Sequence, residues 1–573
     1  MASRRARNHT QPGAVTRLPG NIHMTDRREL FAVVAALGIG GAAFQRAAAA
    51  AAEADKEKPT GITAEMVKNA EWIAGITLSG EERTLVATTL TRHLSGLKKA
   101  AEVPLGNDTL PAIQFDPAPG RAPHAGPLGT VAPPTLEFNK PGTDTELAFA
   151  PLTHLRHLLH TKQISSVELT KLYLARLKKY DPLLKCVVTL TDDLALRQAE
   201  AADRERAAGK PCGALHGIPW GAKDLIAYPG YPTTWGAAHF KDRTLDVKAT
   251  VAKKLEAAGA VLVAKTTLGT LALGDQWFGG MTRNPWNPKQ GSSGSSAGSA
   301  SAVSAGLVGF AIGSETLGSI VSPCTRCGVT GLRPTYGRVS RHGCMTLSWS
   351  MDKLGPIARS VEDCALIFGA IHGADANDPT SVNRPFTWPN AKPVKELRVG
   401  IFEQTSAAVK KTLTDLGVKL VPITLPGDLP VSTMSSIILD CECATAFDDL
   451  TRAGIKEESL GSFWPNTFRA WRFTSAVEYL RANRLRTKLM QAMAKVMETV
   501  DVYVGGDDLS IANLTGHPTV CLPNGFTKSG EVKVPTAITF TGQLYGETDL
   551  LSVAKAYQDT TGHHTKHPTL EPG

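Results

Sequence analysis

Two loops of small residues, separated by one short helix and one strand, constrain this chain more than any other feature. Asn284-Pro285-Trp286-Asn287-Pro288 is a rigid turn pair leading into Gly291-Ser292-Ser293-Gly294-Ser295-Ser296-Ala297-Gly298-Ser299. An alanine-rich helix from Ala300 to Gly306 follows, then an apolar strand from Leu307 to Ile312. A second small-residue turn closes the unit, Gly313-Ser314-Glu315-Thr316-Leu317-Gly318-Ser319. Such a unit brings hydroxyls and backbone N–H groups close together. Glycine and serine suit positions where the chain approaches a substrate or takes angles that larger residues resist.

The surrounding sequence predicts an α/β domain. Residues 152–180 carry a helix-turn-helix pattern, with Ser165-Ser166-Val167-Glu168 as a cap and Leu169, Leu172, Leu174 and Leu177 as its apolar face. A helix is expected over about 191–208, and buried strands within Leu215–Ile226 and Ala260–Ala264. This alternation runs to residue 380 and resumes after 396, which favours a mixed sheet covered by helices on both faces. Upstream, 53–103 is expected to be a helical extension, with Met66, Ala70, Trp72 and Ile73 at helical spacing. Nine prolines between Pro104 and Pro141 make 104–146 an extended, wrapping linker, with Ile113, Phe115 and Leu136 as expected anchors. The catalytic domain is assigned to 147–573.

Charge is concentrated at the start. Residues 1–60 hold nine Lys/Arg against five Asp/Glu, and the whole chain carries a formal +9. The remainder makes no basic stripe, which argues against nucleic-acid binding. Arg27-Arg28 before Leu30-Phe31, an uncharged stretch to Gln45 and the alanine run Ala47–Ala52 read as a twin-arginine export signal, with Met24 a second candidate start. Residues 1–52 are therefore expected to be a leader and the mature chain to be exported without a stable membrane span. Nine cysteines in 573 residues do not make a disulfide scaffold. Cys324-x-x-Cys327 and Cys441-x-Cys443 are read as packing residues rather than metal ligands, His216 as support for its loop, and His563, His564 and His567 as tail residues.

Three segments together resemble the amidase signature family, over about residues 147–565: His216 to Asp224 (HGIPWGAKD), the serine-rich stretch, and Cys327 to Ser340 (CGVTGLRPTYGRVS). Asn513 to Pro518 (NLTGHP) is a weaker fourth. The resemblance implies one large α/β/α domain with a mixed sheet, and a Ser–cis-Ser–Lys triad needing no cofactor and no metal. Aligned on the family's loops, the nucleophile is Ser319, the bridging cis-serine Ser295 and the lysine Lys223. The backbone N–H groups of Thr316, Leu317, Gly318 and Ser319 become the oxyanion hole. The expected reaction is hydrolysis of a carboxamide or small amide through an acyl-enzyme.

The residue chemistry agrees. A serine hydroxyl becomes a nucleophile when a neighbouring base takes its proton. Lysine is such a base only when desolvation or cationic neighbours depress its pKa, and Lys223 lies between Trp220 and Leu225-Ile226. Gly294-Ser295-Ser296-Ala297-Gly298 also fits a nucleophile elbow, but the polar turn before it is not the strand that an elbow needs. Two departures from the family stand out. Leu317 replaces a glycine, straining the turn if φ is positive there and narrowing the pocket if it is not. Val321 replaces an arginine. The competing readings are an A-type component of glutamyl-tRNA amidotransferase and a binding protein of this fold that has lost turnover through Leu317. Residues 345–352, 436–475 and 500–512 are the expected specificity segments, with Trp349, Met351, Trp464, Phe468 and Trp471 as candidate apolar pocket residues.

Overall fold

The structure, a computed structural model, describes residues 61–570 apart from 104–105, 110, 123, 136, 456, 462 and 507–508. The leader 1–52 and the anchor Leu136 lie outside the described residues. The chain divides between residues 103 and 104 into two compact units.

In the first unit, α1 (Ala64–Ala74) and α2 (Gly80–Ala101) form the expected helices. Thr63 caps α1 by accepting from the Met66 N–H, and Gly75 ends it in the left-handed conformation. Arg83 pairs with Glu71 across the two helices at 2.6 Å. The expected apolar face of α1 is not buried. Val67 is its buried residue, whereas Met66, Ala70, Trp72 and Ile73 are exposed. Two helices offer too little surface to cover an apolar stripe on each of them.

The second unit holds an eleven-stranded mixed sheet. Its strands are β1 (Val187–Leu190), β2 (Pro219–Lys223), β3 (Val261–Thr266), β4 (Phe310–Glu315), β5 (Thr330–Arg333), β6 (Lys353–Ala358), β7 (Arg398–Ile401), β8 (Lys419–Pro422), β9 (Val502–Val504), β10 (Thr519–Ser529) and β11 (Val532–Gly542). Their spatial order is β1-β3-β2-β4-β6-β5-β10-β11-β9-β7-β8. β2 runs parallel to both β3 and β4, and β7 parallel to both β8 and β9. The remaining neighbours are antiparallel. Alternate strand residues serve different cores, as a pleat requires: Phe310, Ile312 and Leu262 join one cluster, Ala311, Val261 and Val263 the other.

The helices that position the site are α3 (Leu152–His160), α4 (Ser166–Leu184), α5 (Asp192–Ala207), α6 (Ala297–Ser304), α7 (Val321–Cys327), α8 (Val431–Ala446), α9 (Ala476–Thr499) and α10 (Leu509–Thr515). α4 starts on the expected capping box, where Ser165 and Glu168 each accept the other's backbone N–H. No helix among the described residues is long and apolar enough to cross a membrane.

The proline-rich segment packs on this unit through few side chains. Asn107 donates to the Thr346 carbonyl at 2.9 Å and accepts from the Thr346 N–H at 2.7 Å. Phe115 meets the Tyr336 ring edge-on at 5.1 Å. Ile113, an expected anchor, is instead 78% exposed.

Candidate functional site

Parallel pairing of β2 and β4 carries their C-terminal ends to one edge of the sheet, a common place for a site in α/β folds. Lys223 ends β2, and Ser314 and Glu315 end β4. The first small-residue loop delivers Ser295 and Ser296 to the same edge just before α6, and the second delivers Ser319 just before α7. Small residues let α6 sit directly on the sheet. A Cβ on Gly298 would stand 2.3 Å from the Cys186 carbonyl oxygen and 2.4 Å from the Thr267 nitrogen. Ser299 donates to the Ile312 carbonyl at 3.2 Å and bonds Thr266 at 2.9 Å, satisfying a hydroxyl that would otherwise be buried without a partner.

Lys223 is fully buried. Its Nζ lies 2.8 Å from Ser295 Oγ, 3.1 Å from Ser296 Oγ, 2.9 Å from Ser314 Oγ and 3.3 Å from the Ser314 carbonyl. Burial lowers its pKa to about 7, against the upward pull of Asp352 and Glu315. Asp224, next in sequence, does not offset this. It pairs with the buried Lys265 on β3 at 2.7 Å and accepts from Thr234. The two serines beside Lys223 are not equivalent. Ser296 already donates its hydroxyl to the Ser314 carbonyl at 3.0 Å and accepts the Ser314 N–H at 3.0 Å. Ser295 Oγ has no other hydrogen-bond partner among the described residues, so its proton is free to move. The peptide bond preceding it, Gly294–Ser295, is cis.

The turn that carries Ser319 is held by one buried carboxylate. Glu315 accepts from the Ile320 and Val321 N–H groups at 2.8 and 3.0 Å through Oε2. Through Oε1 it pairs with Arg333 and accepts from Asn513, at 2.7 and 2.9 Å. Burial alone would raise its pKa, but Arg333, Lys353 and these hydrogen bonds outweigh burial and hold it at about 2. Between Glu315 and Ile320, the N–H groups of Thr316, Leu317, Gly318 and Ser319 donate to no residue among those described. Four successive free donors make a ready anion cradle. Ser319 Oγ likewise has no hydrogen-bond partner among the described residues, while its carbonyl accepts from the Ser296 N–H at 3.0 Å.

The geometry resolves the question of Leu317. Gly318 is the residue of this turn with positive φ, +84°, and Leu317 lies outside that region. Leucine is thus unstrained and half-buried, which removes backbone strain as a ground for reading the site as degenerate. Gly318→Ala is expected to cost about 1–2 kcal/mol from the left-handed backbone. Its Cβ would also press on Ser322 Oγ and Leu509 Cδ1 at 3.0 and 3.1 Å. Displaced donors should lower turnover by about 100-fold. Thermal melts and steady-state kinetics on that variant check both effects.

Several residues in and behind the site went unrecognised in the sequence. Asp352, just before β6, accepts from Thr316 Oγ1 at 2.6 Å and from the Leu347 and Ser348 N–H groups at 2.8 and 3.0 Å. Ser348 and Ser350 donate to the buried Glu442 of α8 at 2.6 and 2.7 Å, and Arg486 of α9 donates to both oxygens of Ser350. The segment 346–352 thus runs from the turn that carries Ser319 to an 810 Å³ cavity lined by Trp349, Glu442, Trp471, Tyr479, Arg486 and the proline-rich residues around Phe115. Of the candidate pocket residues, Trp349 and Trp471 line it, whereas Met351, Trp464 and Phe468 are core. No local motif announces Asp352 or Glu442, because their partners come from distant elements.

All nine cysteines are free. Cys324, Cys327 and Cys443 are packed in apolar cores, and burial pushes their thiols upward in pKa. His216 donates from Nε2 to the Ala202 carbonyl at 2.8 Å and accepts the Cys212 N–H on Nδ1 at 3.1 Å, bracing its loop.

A sequence profile of the Amidase family matches residues 168–505. The A component of the glutamyl-tRNA(Gln) amidotransferase of Thermosynechococcus vestitus is 34% identical over 483 residues, covering 73% of this chain and 99% of the relative. Its counterpart in Acinetobacter baumannii is 34% identical over 490 residues, 74% of this chain and 99% of the relative. Among solved structures, the native peptide amidase from Stenotrophomonas maltophilia superposes with a TM-score of 0.63 at 29% identity, over 72% of this chain and 97% of that one.

Proposed function

The chain belongs to the amidase family and is an amide-hydrolysing enzyme, and we propose that it works through Ser319, Ser295 and Lys223. The observation that carries this reading is the buried lysine, its pKa brought to about 7, bonded to a serine whose proton is uncommitted, beside a turn of four free N–H groups. In this scheme Ser319 Oγ forms a bond to the amide carbonyl carbon while its proton passes to Ser295 and the Ser295 proton passes to Lys223. The carbonyl oxygen takes the negative charge against the N–H groups of residues 316–319. The relay then returns a proton to the departing nitrogen, and the C–N bond breaks to leave an acyl-serine. Water, deprotonated by the same relay, then adds to the acyl carbon, the bond to Ser319 Oγ breaks as the relay returns its proton to Ser319, and the carboxylate leaves.

Ser319 Oγ and Ser295 Oγ share no hydrogen bond among the described residues, and the scheme requires that bond to form in the substrate complex. Hydrogen bonds of this type commonly tighten in the substrate complex. The substrate we propose is a carboxamide or small amide whose apolar body occupies the cavity beside Trp349 and Trp471, in a chain exported by the Arg27-Arg28 signal. The resemblance to a solved peptide amidase supports an amide substrate. The identity with the A components of amidotransferases favours a second reading, a glutaminase that feeds a partner. Cytoplasmic location and co-purification with a partner protein would select it.

The test is mass spectrometry of the chain after treatment with a serine-reactive fluorophosphonate. The adduct is expected on Ser319, absent in Ser319→Ala and much weaker in Lys223→Ala. An adduct on Ser296, or none on a folded wild-type chain, sinks the assignment.

A further inference from the structure

On the surface away from the serine loops, three side chains of different chemistry converge. The described residues place a carboxylate oxygen of Glu205, the Sγ of Cys212 and a ring nitrogen of His216 within 4.8 Å of one another. Sγ lies 3.3 Å from Glu205 Oε2, and His216 Nδ1 lies 3.8 Å from the same oxygen. Around a tetrahedral zinc ion with bonds of about 2.0–2.3 Å, ligand atoms stand roughly 3.4–3.6 Å apart. The two edges that Glu205 makes therefore need shifts of only a few tenths of an ångström, and the Cys212 backbone has to turn its N–H away from Nδ1 to close the third.

The imidazole is already in the form a metal requires. Ala202 offers a carbonyl, which only accepts, so Nε2 carries the ring proton and Nδ1 presents its lone pair toward Cys212 and Glu205. A metal-bound histidine usually donates its second nitrogen to a carbonyl or carboxylate in this way. Space is also kept open beside Nδ1, because Gly259 packs there and a Cβ on it would stand 2.3 Å from that nitrogen. Glu205 and Cys212 are exposed, so an ion has a path from solvent, while His216 is 4% exposed and anchors the site in the fold.

We propose that Glu205, Cys212 and His216 form a binding site for a borderline-soft divalent cation of the zinc class, with water as the fourth ligand. On binding, the Cys212 thiol loses its proton to solvent and the thiolate, the carboxylate and Nδ1 bond the ion. The ion takes the place that the Cys212 N–H now occupies at Nδ1. The site ties the C-terminal end of α5 to the loop that feeds β2, seven residues before Lys223. Its role is to hold that connection, apart from the amide chemistry.

The test uses the full chain stripped of metal by a chelator and then titrated with Co²⁺ and, separately, Zn²⁺. Stoichiometric Co²⁺ should produce a thiolate-to-cobalt charge-transfer band together with tetrahedral d–d absorption, and Zn²⁺ should displace both. Zn²⁺ at a hundredfold excess over its dissociation constant should raise the melting midpoint measurably. Cys212→Ala should abolish the charge-transfer band, and Glu205→Gln should weaken binding at least tenfold. Both are surface substitutions that leave the fold in place, which circular dichroism checks. A wild-type chain that gives no band, or a band of equal strength in Cys212→Ala, overturns the proposal.

Discussion

Replacing Lys223 by methionine should lower kcat/KM by about 10⁴–10⁶-fold, the range seen when one member of a serine relay is removed. The lysine is fully buried and its Nζ sits among Ser295, Ser296 and Ser314, so no solvent base can take its place. Methionine has nearly the same length and leaves the Ser296–Ser314 bonds intact, and circular dichroism should report a folded chain. The wild-type pH profile provides the independent check. Because burial holds the Lys223 pKa at about 7, the working neutral form grows as pH rises. Hydrolysis should accordingly be weak below about pH 6, half-maximal near 7 and level above about 8, and the residual activity of the methionine variant should lose that step. A half-maximal point near about 10 would mean that the lysine is solvated and the assigned geometry wrong.

Glu315→Ala should be the most destabilising single change at the site. It removes the carboxylate facing Arg333, both being fully buried, and strips partners from Ile320 N–H, Val321 N–H and Asn513 at one stroke. Breaking a buried pair by deleting one partner costs about 3–5 kcal/mol, chiefly from the charge left unpaired. Denaturant unfolding should find a loss of that size, and activity should fall as well, since the turn from Thr316 to Ser319 hangs between the groups that Glu315 clamps. The pH dependence follows with its sign. Glu315 has a folded pKa depressed from 4.5 to about 2, so its contribution is complete above its ordinary value and is lost as pH falls through the folded one. The variant and the wild type should therefore converge in stability at low pH. Equal stability at neutral pH would show that the pair does no more than fill space.

Much of this was legible in the sequence because its signals are local. The cap at Ser165 and Glu168 marks the start of α4, and the run of alanines and serines marks a helix that must lie close against a strand. The sheet core is legible in the apolar run through Phe310, Ala311 and Ile312. Elsewhere local signals misled. Helical spacing located α1 but not its buried face, because exposure depends on what other surface is available to cover it. The buried strand expected within Leu215–Ile226 is there from Pro219 to Lys223, but the apolar run does not show that the chain then turns to place Asp224 against Lys265.

The sequence by itself determined that this is an α/β amidase, and it singled out the lysine and the two loop serines on which the proposed mechanism rests, because those residues lie in contiguous, spaced motifs. The resemblance already pointed to Ser295 rather than Ser296, and tertiary structure supplied the physical difference between them, since Ser296 is committed by Ser314 at the end of β4. Tertiary structure also decided that Leu317 is unstrained, that Glu315 clamps the turn, and that Asp352 and Glu442 link the turn to a cavity. Each of these rests on partners that the chain brings together from separate elements, or on one backbone angle. Charge, burial and φ at a site are properties of the surroundings, and the surroundings exist only once the chain has folded.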